Sequence, residues 1–157
     1  MKSISFLKGV RVLCLCLPLL LFSCKKEDTS AIYTLRQWKV DLTTGNVLPA
    51  ISGRTDHAVA VFYLMTDNKL YYYLYFDSPL NNNDVPLKGS IYTGANGTSG
   101  TVLIELANEA FDANREVKGA VELSQQVIAD LNTKTNYLQI SSSQQPNGLV
   151  RGAMQSY

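Results

Sequence analysis

The sequence predicts an all-β domain, an antiparallel sandwich of about eight short strands with one short connector helix, and three observations carry that expectation. Beyond residue 33, short apolar runs recur between clusters of Gly, Asn, Asp and Pro, the punctuation of strands and turns. In the clearest run, Leu70, Tyr72, Leu74 and Phe76 alternate with Tyr71, Tyr73 and Tyr75, the period of two that a half-buried strand needs. The single helical pattern, Ser124 to Leu131, is about two turns long, which makes it a connector rather than a pillar.

The elements follow in order. A first strand is expected at Leu35 to Leu42, then a hairpin of Ala58 to Thr66 and Lys69 to Asp77. Between these, Asp67-Asn68 supply two residues tolerant of positive φ, as a two-residue turn requires. The aliphatic face of the second hairpin strand is the core side, leaving a tyrosine row opposite. Asn81-Asn82-Asn83-Asp84-Val85-Pro86 reads as a loop, because short polar side chains compete with ladder bonding and Pro86 has no donor. Further strands are expected at Leu87 to Tyr92, Thr101 to Leu106, Val117 to Glu122, Tyr137 to Ser142 and Leu149 to Gln155. Ser124 can cap the helix, whose Val127, Ile128 and Leu131 share one face. No solenoid repeat is visible. An immunoglobulin-like or superoxide-dismutase-like sandwich fits this series.

Ahead of the domain lies a different kind of sequence. Lys2, Lys8 and Arg11 precede an apolar stretch, Val12 to Phe22, broken only by Pro18, the order of a secretory signal. The stretch is about half the roughly 20 residues of a spanning helix. It ends in Leu21-Phe22-Ser23-Cys24, which resembles the lipobox of bacterial lipoproteins, where the cysteine takes a diacylglycerol and becomes the new N-terminus. The expected division is therefore a signal peptide at 1–23, a lipidated tether at 24–33 and the sandwich at 34–157. An uncleaved anchor helix and an ordinary free thiol are the two competing readings. Lys25-Lys26-Glu27-Asp28 resembles a surface-export tag, or serves as a solvated tether. The expectation is a lipoprotein of the bacterial cell envelope, outer membrane and surface display included, with the membrane as partner through Cys24.

Cleavage before Cys24 removes 23 of the 157 residues and leaves 134, enough for one core. It also removes three of the 14 basic residues, leaving 11 against 13 acidic ones, a formal charge of −2. Nucleic-acid binding, which needs a basic stripe, is not expected. Cys14 and Cys16 leave with the signal, so no internal disulfide is expected. His57 is the one histidine, which argues against a Cys/His zinc site, and no metal or cofactor is expected.

Two segments carry a family signature. The first is Lys88-Gly89-Ser90-Ile91-Tyr92-Thr93-Gly94, followed by Ala95-Asn96-Gly97-Thr98-Ser99-Gly100 and Thr101-Val102-Leu103-Ile104. The second is Tyr137-Leu138-Gln139-Ile140-Ser141-Ser142, then Gln145-Pro146-Asn147-Gly148-Leu149-Val150-Arg151-Gly152. Together they resemble the CHRD (chordin-type) domain, whose first motif is His-Ile-His-x-Gly and whose closing motif is Tyr-Val-Asn-Val-His-Thr with Asn-Pro-Gly-Gly-Glu-Ile-Arg-Gly. More loosely the resemblance extends over Arg36 to Met154. At the family's histidine positions this chain has Ser90, Tyr92 and Ser141, and Leu149 stands at the glutamate. Three imidazoles on neighbouring strands could bind a transition metal, and serine and tyrosine replace them poorly at neutral pH. The resemblance implies an extracellular module without established catalytic activity.

The remaining candidates divide between structure and recognition. Pro146 with Asn147-Gly148 suits a tight turn. Arg151 and Gly152 open the last strand, and the guanidinium of Arg151 is suited to tying loop carbonyls or a carboxylate. His57 follows Asp56, but adjacent strand residues face opposite ways, so a solvated strand-end histidine is expected. Gly94, Gly97 and Gly100 lack the following helix of a phosphate cradle and read as loop glycines. Asn96-Gly97-Thr98 matches a glycosylation acceptor and reads more simply as a turn. Tyr71, Tyr73 and Tyr75 either offer a recognition surface for sugar rings or protein, or pack beneath the second layer and against neighbouring strands. A non-enzymatic binding or interaction module is expected. The alternatives are a metal-binding or superoxide-dismutase-like protein and a glycan-binding adhesin.

Overall fold

A computed structural model describes residues 31–106 and 110–157. The signal segment, Cys24 and Lys25 to Asp28 lie outside the described residues. Besides short 3-10 turns at Thr44–Asn46 and Asn81–Asn83, nine strands and one α-helix follow one another among the described residues. They are β1 (Thr34–Thr43), β2 (His57–Met65), β3 (Lys69–Phe76), β4 (Pro86–Thr93), β5 (Thr101–Glu105), β6 (Glu116–Glu122), α1 (Gln125–Thr133), β7 (Asn136–Ser142), β8 (Val150–Ala153) and β9 (Gln155–Ser156). Every pairing is antiparallel, as the alternating pattern requires.

The two layers of the sandwich are halves of one curled sheet, ordered β5-β4-β7-β8-β1-β2-β3-β6, with β9 also paired to β1. Ser124 caps α1 by accepting from the Val127 N–H at 3.3 Å. The helix follows β6 and contacts β5, and it lays Val127, Ile128 and Leu131 on the core. The polar face of α1 is tied to β1, where Arg36 Nη1 donates to the Asn132 carbonyl at 3.2 Å and to its Oδ1 at 3.1 Å.

Alternation sets the core. Trp38, Val40 and Leu42 of β1 meet Ala58, Ala60, Phe62 and Leu64 of β2, and Leu70, Tyr72, Leu74 and Phe76 of β3 complete that layer. Ile91, Ile104, Leu138, Ile140 and Val150 face them from the other half. Full burial of such side chains contributes about 1.5–3 kcal/mol each before entropy is deducted. Gly152 is where the halves join: a Cβ there would stand 2.1 Å from the Asp41 carbonyl oxygen. No larger residue lets β8 approach β1 this closely.

The turns depart from expectation in two places. Between β2 and β3 the loop has three residues, Thr66 to Asn68, and only Asn68 is left-handed, with φ 63°. Asn68 N–H closes the turn on the Met65 carbonyl at 3.1 Å, so a type I turn followed by a left-handed residue replaces the two-residue turn. In the closing turn Gly148 N–H bonds the Gln145 carbonyl at 3.1 Å, and Gly148 alone takes positive φ, 133°. Pro146 sits at the second position, which its fixed φ suits. Tyr33 exchanges hydrogen bonds with Thr66 at 3.2 and 3.0 Å, so the chain is tied to the sheet one residue before β1.

Candidate functional site

The outer face of β4, β7 and β8 carries the residues of both motifs. Register places Ser90 opposite Gln139, Gln139 opposite Arg151, and Tyr92 opposite Tyr137. Tyr92 and Tyr137 stack nearly parallel, with ring centroids 5.0 Å apart and planes 3° apart. On this side Arg151 lays its guanidinium 3.5 Å from the Tyr137 centroid. Its Nη2 donates to the carbonyls of Thr98 at 2.6 Å and Ala95 at 3.2 Å, which pins the 94–100 loop over the stack. The Tyr137 hydroxyl adds an acceptor for the Gly100 N–H at 3.1 Å. Arg151 is thus 2% exposed on the outer face of the sheet. Ring faces and carbonyl dipoles solvate its charge there.

Beside this stack the sheet opens. Ser90, Tyr92 and Ser141 line one recess of about 230 Å³ with Lys88, Gln139, Pro146 and Asn147. Ser90, Tyr92 and Ser141 therefore converge, although Ser90 and Ser141 are far apart in sequence. Ser141 Oγ donates to the Lys88 carbonyl at 3.3 Å, and Gln139 Nε2 to the Asn147 carbonyl at 2.8 Å. Burial pushes the Tyr92 phenol up, aided by Tyr137 and only partly offset by the Ser90 hydroxyl. Tyr92 therefore keeps its proton at neutral pH, and the recess presents neutral hydroxyl and amide groups with one ammonium at Lys88. Two hydroxyls and a protonated phenol are a poor donor set for a transition metal. Among the described residues no group of three or more His, Cys, Asp or Glu side chains is placed to hold a metal ion.

The recess continues into a wider apolar shelf. Val85, Pro86, Leu87 and Phe111 line it, sharing Lys88, Ser141 and Pro146 with the polar part. Beneath lies a buried ionic knot that sequence reading did not anticipate. Arg54 Nε donates to Asp56 Oδ2 at 2.6 Å, and its Nη1 stands 3.0 Å from Asp84 Oδ2. Asp84 also accepts from the hydroxyls of Ser142 at 2.6 Å and Ser143 at 2.8 Å, and from the N–H groups of Val85 at 2.8 Å and Gln144 at 3.0 Å. Burial pushes the Asp84 carboxyl up, but these four donors outweigh it and hold the group at about 2. The Asp56 hydrogen bond likewise holds Arg54 further into its charged form. Arg54 Nη2 reaches the Asn81 carbonyl at 3.2 Å, so three loops are fastened under the recess. One sequence signal could have found two members: the inward parity of Ala58, Ala60 and Phe62 carries back to Asp56, and that of Leu138 and Ile140 carries on to Ser142.

The other candidates lie elsewhere. His57 is half-buried at the end of β2 and bonds Asp77 Oδ2 through Nδ1 at 2.8 Å, while Asp56 faces inward. Gly94 and Gly97 have positive φ, 144° and 92°, in the loop over Arg151, and Thr98 N–H bonds the Ala95 carbonyl at 3.1 Å, so Asn96-Gly97-Thr98 lies in a turn. Tyr71, Tyr73 and Tyr75 project from the outer face of the other half-sheet, not beneath the opposite layer. Tyr71 is 41% exposed, and Tyr73 and Tyr75 touch with ring centroids 5.6 Å apart. A groove of about 500 Å³ runs among Tyr63, Tyr71, Tyr73, Lys118 and Ala120. At its end the hydrogen bond to Glu116 raises the Tyr73 phenol.

An all-β module with two outward-facing candidate surfaces is what the fold and site define. The model of the CHRD domain matches residues 38–154, and the chain belongs to the CHRD family. No curated protein and no solved structure matches the chain. The match spans both motif segments. The family suggests a non-enzymatic module.

Proposed function

We propose that the protein is a lipid-anchored binding module of the cell envelope that takes its ligand at the recess between β4 and β7. One observation carries the reading: Ser90, Tyr92 and Ser141, far apart in sequence, are brought together around a single open recess. The knot of Arg54, Asp56 and Asp84 fastens the loops below it, so the donors are held in place before a ligand arrives, which lowers the ordering cost of binding. Apart from the Lys88 ammonium the lining is neutral, and hydroxyls beside an apolar shelf suit an uncharged ligand with hydroxyl groups and one apolar face. Acyl chains on Cys24 would retain the domain at the membrane, each buried methylene contributing about 0.8 kcal/mol.

The anchor is tested by Cys24→Ser, which should move the protein from the membrane fraction to the soluble one. Retention of the variant at the membrane would remove the anchor. For the recess, Ser141→Trp should fill the space and abolish binding of the labelled protein to polysaccharide isolated from the envelope, with thermal melting unchanged. The exposed tyrosine groove supports a second reading, glycan binding on the β3 face. Exchange of Tyr71, Tyr73 and Tyr75 to serine separates the two, since loss of binding there and not at S141W assigns the ligand to the tyrosine face. Stoichiometric copper or zinc in the purified protein would overturn the uncharged-ligand reading.

A further inference from the structure

The tyrosine groove ends at β6, which pairs with β3 on one side and, among the described residues, with no strand on the other. The direction of its backbone groups follows from its two ends. Leu123 N–H donates to the Asn68 carbonyl at 2.9 Å, and the Arg115 carbonyl accepts from Phe76 N–H at 3.1 Å, so odd-numbered residues turn toward β3. The N–H and C=O groups of Glu116, Lys118, Ala120 and Glu122 therefore point outward. Glu116 has already spent both: its N–H donates to Asp112 Oδ1 at 2.9 Å and its carbonyl accepts from Asp112 N–H at 2.9 Å. Lys118, Ala120 and Glu122 remain, and all three are exposed.

We infer that the open edge of β6 pairs antiparallel with β6 of a second copy, on a two-fold axis through Ala120. The register is chosen by charge. With Ala120 on the axis, Lys118 of each copy lies directly opposite Glu122 of the other, giving two opposite-charge cross-strand pairs on the tyrosine face. Only outward groups that are still available are used. Centring on Gly119 would set Glu116 against Glu122 and require the groups that Asp112 occupies. Centring on Lys118 would bring two ammonium groups face to face. The small side chain of Ala120 lets the two copies meet, and it lies directly across from Tyr71. The groove of about 500 Å³ beside it would run on across the axis into that of the second copy. A solvent-facing Lys commonly guards an edge strand against pairing. Here Lys118 opposes the register that faces it with its own copy and favours the one that supplies Glu122.

The experiment uses the full chain in mild, density-matched detergent, with its mass read by sedimentation over a concentration series. A dimer is expected. Lys118→Glu and Glu122→Lys should each weaken it about tenfold, since each turns two attractive pairs into repulsive ones, and the double variant should return to within about threefold of the original. Both substituted positions are exposed, and thermal melting confirms that each of the three variants folds. A monomer up to the solubility limit would overturn the proposal. So would a dimer that both single variants leave unchanged, or a double variant no tighter than the singles.

Discussion

Arg151 has no carboxylate among its hydrogen-bond partners, and its burial depends on two carbonyls and one ring. Lysine reaches neither carbonyl with the same planar fork and does not stack. Arg151→Lys should therefore cost about 2 kcal/mol, from two lost hydrogen bonds and the cation–π contact. A lowered thermal midpoint checks this, and unchanged melting would show that the loop is held by other contacts. Gly152→Ala should cost more, because the new methyl meets the Asp41 carbonyl, a backbone atom that cannot swing away. A denaturant midpoint no lower than that of the parent would contradict the close approach. What Arg151 holds follows from its chemistry, since a fork of donors beside a glycine-rich loop finds carbonyls. Arg54 and Asp84 were not legible in the same way. They come from loops, where no periodicity assigns a face, and their partnership with Asp56, which strand parity does mark, depends on how three loops fold over one another.

Strands were read well from sequence because the physical signal is local. Each has one buried face, and period-two alternation marks it directly in Leu70 to Phe76. Turn geometry was less legible, since Asp67-Asn68 satisfies two-residue and three-residue loops alike, and the register of Leu64 with Leu70 makes the choice. Asn68 holds a left-handed φ, its carbonyl receives Leu123 N–H, and its Oδ1 receives Gln125 Nε2 at 3.1 Å. Asn68→Ala should destabilise the domain by about 1 kcal/mol, while Asn68→Gly should be close to neutral. Urea midpoints of the two variants give the comparison; equal losses would mean that the side-chain bond to Gln125, not the backbone angle, is what matters. At the start of α1, Ser124→Ala should remove the cap on Val127 and cost about 1 kcal/mol.

For the whole molecule the knot makes stability depend on acid. The Asp84 carboxyl is at about 2 in the folded protein and near 3.8 when free. A lowered folded value means that its contribution is complete above about pH 4 and is lost as pH falls toward 2. The contribution is on the order of 2 kcal/mol. Urea unfolding at pH 5 and at pH 2.5 should therefore show a smaller loss for Asp84→Asn than for the parent. Equal losses would place the acid sensitivity elsewhere. The recess is also a property of the whole sheet. Its members were marked by motif in the sequence, but only the pairing of β4 with β7 sets Ser90 beside Gln139 and brings Ser141 alongside, and no local pattern encodes that juxtaposition.

Tyr33 joins the domain by clasping Thr66, at the pole of the sheet formed by the β2–β3 turn and the start of β1. The Pro146–Gly148 turn and the Asp84 knot lie at the opposite pole, where β1 and β7 end and β8 begins. The curled sheet therefore has a stem end and, opposite it, an end that holds the closing turn and the knot. Coupling a domain that starts at Ile32 to a sensor chip through that residue would therefore hold it by the pole opposite the Pro146–Gly148 turn, with the outer face of β4 and β7 left open to solution.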